Sequence, residues 1–151
     1  MNTVTNTAQL STFSIIRSII LSNSVLAKKF NVKNVLEFEP KPKSSNFSGF
    51  PYIVVNVPDV EDNESYIGDT LRYKNFDVEI VLRMDYEARD NYTEYASNLI
   101  TVIDAANSTF NASGYGLIRI TSDGRPQSIT VHSKEIIEGT FTLELDGEVL
   151  V

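Results

Sequence analysis

Phe76-Asp-Val-Glu-Ile-Val-Leu-Arg-Met-Asp-Tyr86 alternates from end to end. Phe76, Val78, Ile80, Leu82, Met84 and Tyr86 fall on one side, and Asp77, Glu79, Val81, Arg83 and Asp85 on the other. Successive side chains of a β-strand point to opposite faces, so this period of two predicts a strand over residues 72–86. One face packs on a core, and the other is wet or meets another subunit. Downstream, Asn91-Tyr-Thr-Glu94 has the spacing of a capping box, with Asn in place of Ser or Thr. Tyr92, Tyr95, Ala96, Leu99, Ile103 and Ala106 then share a stripe at helical spacing, and the small polar residues of 107–114 end that helix. Strand patterns follow at 115–122, 128–133 and 137–145, and the turn Asp123-Gly-Arg-Pro126 reads as a hairpin joining the first two.

Upstream, Phe50-Pro-Tyr-Ile-Val-Val-Asn-Val57 is a β-branched run stopped by Pro58, hence a strand, and residues 34–38 form a shorter one. Between them lies a loop with Pro40 and Pro42, and after Pro58 comes an acidic loop over 59–69. A first helix is expected over about 11–29, capped by Ser11 or Thr12, with Phe13, Ile16, Ile20, Leu21, Ala27 and Phe30 as its apolar positions. Lys28 and Lys29 complement its dipole, and Ser22-Asn-Ser24 offers a break. The order helix, strand, strand, helix, strand, strand, strand predicts an α+β fold: a mixed, mainly antiparallel sheet with two helices packed on one face. It spans residues 11–151 as a single domain behind a flexible segment of residues 1–10.

Composition narrows the chemistry. The 151 residues are 42% apolar and 22% charged, which excludes a wholly disordered chain, a collagen-like fibre and a disulfide scaffold. Without Cys there is no thiol catalysis, thiolate-bound zinc or iron–sulfur cluster, and one His leaves little for a multi-His metal site. The longest apolar stretch, Ile15–Leu21, is too short to cross a membrane and is broken by Arg17 and Ser18. Residues 1–13 lack the basic and apolar regions of a secretory signal, so the five Asn-x-Ser/Thr matches are read as chance. The net charge of −7 is unevenly spread: six Lys/Arg face two Glu in residues 1–50, and seven face eighteen Asp/Glu in 51–151. The lysines Lys28, Lys29, Lys33, Lys41 and Lys43 have no Arg among them and little aromatic interleaving, which favours solvent or an acidic protein neighbour over nucleic acid.

No motif supplies a reaction. His132 lies opposite Ile129 and Val131 with no orienting carboxylate or nucleophile in pattern, so no catalytic role is expected. Asp59-Val-Glu-Asp-Asn-Glu64 lacks the glycine and distal Glu of a calcium loop. Asp85-Tyr-Glu-Ala-Arg-Asp90 sits where a helix start favours negative charge anyway, and Gly114-Tyr-Gly116 is a turn before a strand. Phe47, Tyr52 and Tyr66 lie in or beside loops and are candidates for an intersubunit contact. No catalytic, cofactor-binding or metal residue is assigned, which leaves assembly or binding as the expected function.

The layout itself resembles a known family. The N-terminal helix leads through the Pro40/Pro42 loop into Phe50–Val57, and the acidic loop gives way to Lys74-Asn-Phe-Asp-Val-Glu-Ile-Val-Leu-Arg-Met84. The helix bearing Tyr95-Ala-Ser-Asn-Leu-Ile-Thr-Val-Ile-Asp104 and the antiparallel C-terminal strands complete it. Over residues 11–148 this order resembles the tail terminator (tail completion, head–tail joining) proteins of long-tailed phages and related archaeal viruses. The resemblance implies a homohexameric ring that caps the tail tube, stops its polymerisation and offers a surface to the head connector. It also implies no enzymatic activity, no cofactor, no membrane contact, DNA only in passage through the channel, and a place in the virion tail after assembly in the host cytoplasm. Asp59, Glu61, Asp62 and Glu64, with Asp77, Glu79, Arg83 and Asp85, are then the candidates for the ring lumen or the subunit interface. The alternatives are another neck, head-completion or tail-tube protein and, from a different class, a small cytosolic hydrolase using Asp/Glu and a metal at the 59–64 loop.

Overall fold

A computed structural model describes residues 5–40, 50–58, 66–67, 71–131 and 133–150. The strand expected from the alternation is β4, Leu71–Asp85. Val78, Ile80, Leu82 and Met84 are buried on one of its faces, Asp77 and Glu79 are exposed on the other, and Phe76 is half-buried. Around it stand β1 (Val35–Leu36), β2 (Tyr52–Asn56), β3 (Tyr66–Ile67), β5 (Tyr115–Ser122), β6 (Gln127–Val131) and β7 (Lys134–Leu150). They form a seven-stranded sheet of order β1-β2-β4-β7-β5, with β3 on β4 and β6 on β7. Among the described residues only β1 and β2 pair in parallel, so the sheet is mixed and mainly antiparallel as expected.

Among the described residues the two expected helical stretches each divide in two. α1 (Thr5–Ser22) starts before the Ser11/Thr12 cap position, and it stops where Asn23 begins α2 (Ser24–Lys29). The Asn23 Oδ1 accepts hydrogen bonds from the Val25 and Leu26 N–H groups at 2.9 and 3.0 Å, the N-cap that restarts the helix. The second stretch divides into α3 (Tyr92–Asp104) and α4 (Asn107–Ala112), where a coil was expected. Phe110, fully buried among small polar neighbours, anchors that extra turn. The capping box at Asn91 does not form. A 3₁₀ segment over Tyr86–Asn91 precedes α3, Asn91 has helical backbone angles, and its side chain makes no cap bond. The helices bury Phe13, Ile16, Ile20, Leu26, Tyr95, Leu99, Ile103 and Phe110 against Ile80, Leu82, Phe141, Leu143 and Leu145 of the sheet in one continuous core.

The hairpin at Asp123–Pro126 is a correction. β5 and β6 do not pair with each other; both lie antiparallel on the same side of β7, β5 along 141–147 and β6 along 134–138. They are two segments of one edge, and the Asp123 N–H bonds the Thr140 carbonyl at 3.0 Å in the gap between them. The reversal comes between Val131 and Lys134, which pair with each other, and Ser133 there has φ +66°. Glycine at 124 (φ +113°) permits the jog but does not turn the chain back.

Candidate functional site

The sheet face away from the helices is the surface on which the sequence places a function, and register builds it row by row. Tyr52, Arg83 and Glu138 stand side by side across β2, β4 and β7; Val54, Val81 and Thr140 form the next row. Asn56, Glu79, Thr142 and Thr121 follow, then Asp77, Glu144 and Arg119. This face has two halves. Toward β1, Tyr52, Val54 and Val81 are buried in a small second cluster with Leu36 and Phe50 packed on them. Toward β5 the rows are polar and open, with Asp77, Glu79, Thr121 and Arg119 exposed.

Arg83 ties the covered half together. Its Nε donates to Glu138 Oε2 at 2.7 Å, and its Nη1 donates to Glu39 Oε2 and to the Tyr52 hydroxyl at 3.2 Å. The guanidinium also lies 5.8 Å from the Tyr52 ring centre. Burial by itself would lower the Arg83 pKa, but the bonds to Glu39, Tyr52 and Glu138 outweigh it and hold it above the ordinary value. Burial likewise pushes the Tyr52 phenol up, more than its bond to Arg83 pulls it down. Both groups therefore keep one protonation state through neutral pH, and the knot is a fixed clamp. Beside it Lys134 bridges Asp85 at 2.6 Å and lies 5.3 Å from the Phe50 ring centre.

Of the residues proposed from sequence, the structure brings Asp77, Glu79, Arg83 and Asp85 onto one face and gives them different surroundings. Asp77 and Glu79 are exposed, Glu79 within 3.4 Å of the Asn56 amide, while Arg83 and Asp85 are occupied by partners in their own chain. Asp59, Glu61, Asp62 and Glu64 lie outside the described residues, as do Phe47, Lys41, Lys43 and His132. Tyr52 is buried within its own chain, which removes it as an intersubunit contact. Lys28, Lys29 and Lys33 are exposed at the end of α2 and in the turn after it.

At the far end of β4 a cavity of about 360 Å³ is lined by Asp85, Tyr86, Glu87, Ser133, Lys134 and Glu135. Its amine is engaged by Asp85. Among the described residues no three His, Cys, Asp or Glu side chains gather as a metal site would need, and no helix is long and apolar enough to cross a membrane. Among the described residues the geometry offers a shaped, charged sheet face.

A chain in the virion of a native gene transfer agent (GTA) particle has this fold. The likeness covers 92% of this chain and 94% of that one, with a TM-score of 0.53 at 18% identity, and at that identity it is a likeness of fold. No protein-family model and no curated protein matches the sequence.

The Arg83 clamp has no signal in the sequence, because Glu39 and Glu138 lie 44 and 55 residues away from Arg83. The exposed Phe38 and Ile118 were equally hidden: each sits inside or beside an apolar run that reads as a buried strand.

Proposed function

We propose that this chain is a structural protein of a phage-like virion and, within it, the tail terminator. In this reading copies close into a homohexameric ring that caps the tail tube, stops its polymerisation and presents its other end to the head connector. The observation that carries it is the fold shared, over nearly the whole of both chains, with a chain of the GTA virion. The layout of helices and strands expected for tail terminators supports it, and so does an open sheet face of polar and charged side chains. A ring is a heterologous assembly, in which one patch meets a different patch on the next copy. The uneven charge along the chain suits such a contact.

Asp59, Glu61, Asp62 and Glu64 are proposed to line the lumen or a subunit interface, with Asp77 and Glu79 as the exposed acids of the sheet face. A negatively charged lumen repels phosphates, so DNA passes without the counterion release that drives binding. Electron microscopy of the purified protein tests the reading. Closed rings that halt growth when added to polymerising tail-tube protein are expected. A protein that stays monomeric at every concentration overturns the ring, and rings that leave tube length unchanged move the chain elsewhere in the neck. Reversing the four loop acids to lysine is expected to leave the monomer fold intact and to change ring formation or joining; a variant that assembles and joins like wild type removes the loop from the proposal.

A further inference from the structure

Large apolar side chains left in water are a cost unless something covers them, and their placement therefore carries information. Among the described residues three stand exposed: Val32 at 58%, Phe38 at 73% and Ile118 at 46%. They are not scattered. Val32 and Phe38 bracket β1, the outermost strand on one side of the sheet, and Ile118 lies in β5, the outermost strand on the other. Ile118 is the extra residue of a β-bulge, unpaired on β7 between Leu117 and Arg119. The bulge interrupts the outer hydrogen-bonding row of β5, which discourages an uninterrupted strand-on-strand ladder there. It leaves a side-chain contact instead.

The charges beside these residues are complementary. Phe38 is flanked by Glu37 and Glu39, and Arg83 grips the Glu39 carboxylate, which fixes the chain directly after Phe38. Ile118 is followed by Arg119, whose Nε donates to Glu144 Oε1 at 2.8 Å while the side chain stays 65% exposed, and Arg125 is exposed in the jog that continues the same edge. One edge thus carries an apolar knob between two carboxylates, and the opposite edge an apolar knob beside two guanidiniums. Two unlike patches on opposite edges of one sheet are what a closed heterologous assembly needs.

We infer that the β1 edge of one copy, through Phe38 with Glu37 and Glu39, docks on the β5 edge of the next copy, through Ile118 with Arg119 and Arg125. This rests on the proposed ring and names its contact. The two edges are four strand spacings apart, about 19 Å. Glu39 meets the sheet at Arg83, whereas the bulge is level with Asp77, six residues along β4 and about 20 Å away. Both patches of one copy must lie at equal height in a ring, so the strands cannot run parallel to the ring axis.

Thiol cross-linking tests this cleanly, since the chain has no Cys. The exposed substitutions Phe38→Cys and Ile118→Cys, treated with a short bis-maleimide at a concentration where rings are seen, have distinct expected products on a denaturing gel. The two single variants mixed give dimers, the double variant gives a ladder ending at the ring stoichiometry, and each single variant alone gives only monomer. Phe38→Ser is expected to shift the sedimenting species from ring to monomer with the circular dichroism spectrum unchanged. Links within a single-variant sample, or rings in which residues 38 and 118 do not link, overturn the edge contact while leaving the ring. A wild-type protein that never assembles fails one step earlier, at the proposed function.

Discussion

Gly139 and Tyr92 show how one residue makes room for another. A Cβ on Gly139 would stand 1.7 Å from the Tyr92 hydroxyl oxygen, so glycine is needed where the ring of α3 crosses β7. That hydroxyl is buried with no hydrogen-bond partner, and burial raises the phenol's pKa. An unpaired buried hydroxyl costs stability that an apolar replacement of the same shape recovers. Tyr92→Phe is therefore expected to leave stability unchanged or raise it by up to about 1 kcal/mol in a denaturant titration, whereas Gly139→Ala is expected to lose about 1–3 kcal/mol through overpacking. A loss with Tyr92→Phe would mean the hydroxyl is satisfied after all. Arg83 poses the opposite case, a charge with three partners and a side chain only 14% exposed. Arg83→Ala removes the ion pair with Glu138 and the bond to the Tyr52 hydroxyl and is expected to lose about 1–2 kcal/mol, while Glu39→Gln, removing a mostly exposed partner, should change stability by less than about 0.5 kcal/mol. Equal losses for the two would show that the clamp acts through Glu39 alone.

At the scale of elements, the sheet is organised by β7, whose length allows it to serve two partners on one side. Every residue of β4 has a partner on it, from Leu71 opposite Leu150 to Asp85 opposite Ile136, and its other side holds β5 and β6 end to end. The first helical stretch is organised by Asn23, which caps α2 through Oδ1 while its Nδ2 donates to Asn98 Oδ1 at 3.2 Å, tying α2 to α3. Asn23→Ala is expected to cost about 0.5–2 kcal/mol by chemical denaturation. Asn23→Ser, which keeps a capping oxygen, should recover most of that; no recovery would assign the cost to the Asn98 bond instead.

For the whole molecule, four phenols set an alkaline limit. Tyr52, Tyr92, Tyr95 and Tyr115 are all held above the ordinary 10.0, each chiefly by burial. Above pH 10 the unfolded chain releases these protons first and the folded chain binds more, so stability falls with rising pH. Their contribution is fully present below pH 10 and is lost as pH climbs through the folded-state values. Circular dichroism across a denaturant series at stepped alkaline pH should show a falling midpoint, with tyrosinate absorbance appearing as the fold is lost. A midpoint that stays flat through the whole alkaline series would place these phenols in water.

The class of every long element was legible in the chain, because periods of two and of 3.6 are carried by near neighbours along the backbone. Phe76–Tyr86 needs nothing outside itself to be read as a strand with one apolar face, and the stripe from Tyr92 to Ile103 reads as a helix in the same way. What packing alone settled is which partner each element meets. Asp123–Pro126 carries turn residues, yet whether a turn reverses the chain or only steps it along an edge depends on the strand already beside it, here β7. The face of β4 bearing Asp77, Glu79, Val81, Arg83 and Asp85 looked uniform in the sequence. It divides into a covered and an open half because Phe50, Leu36 and Glu39, brought from distant parts of the chain, reach only as far as Val81 and Arg83. Burial and ion pairing are made between residues distant along the chain, so no local pattern could carry them.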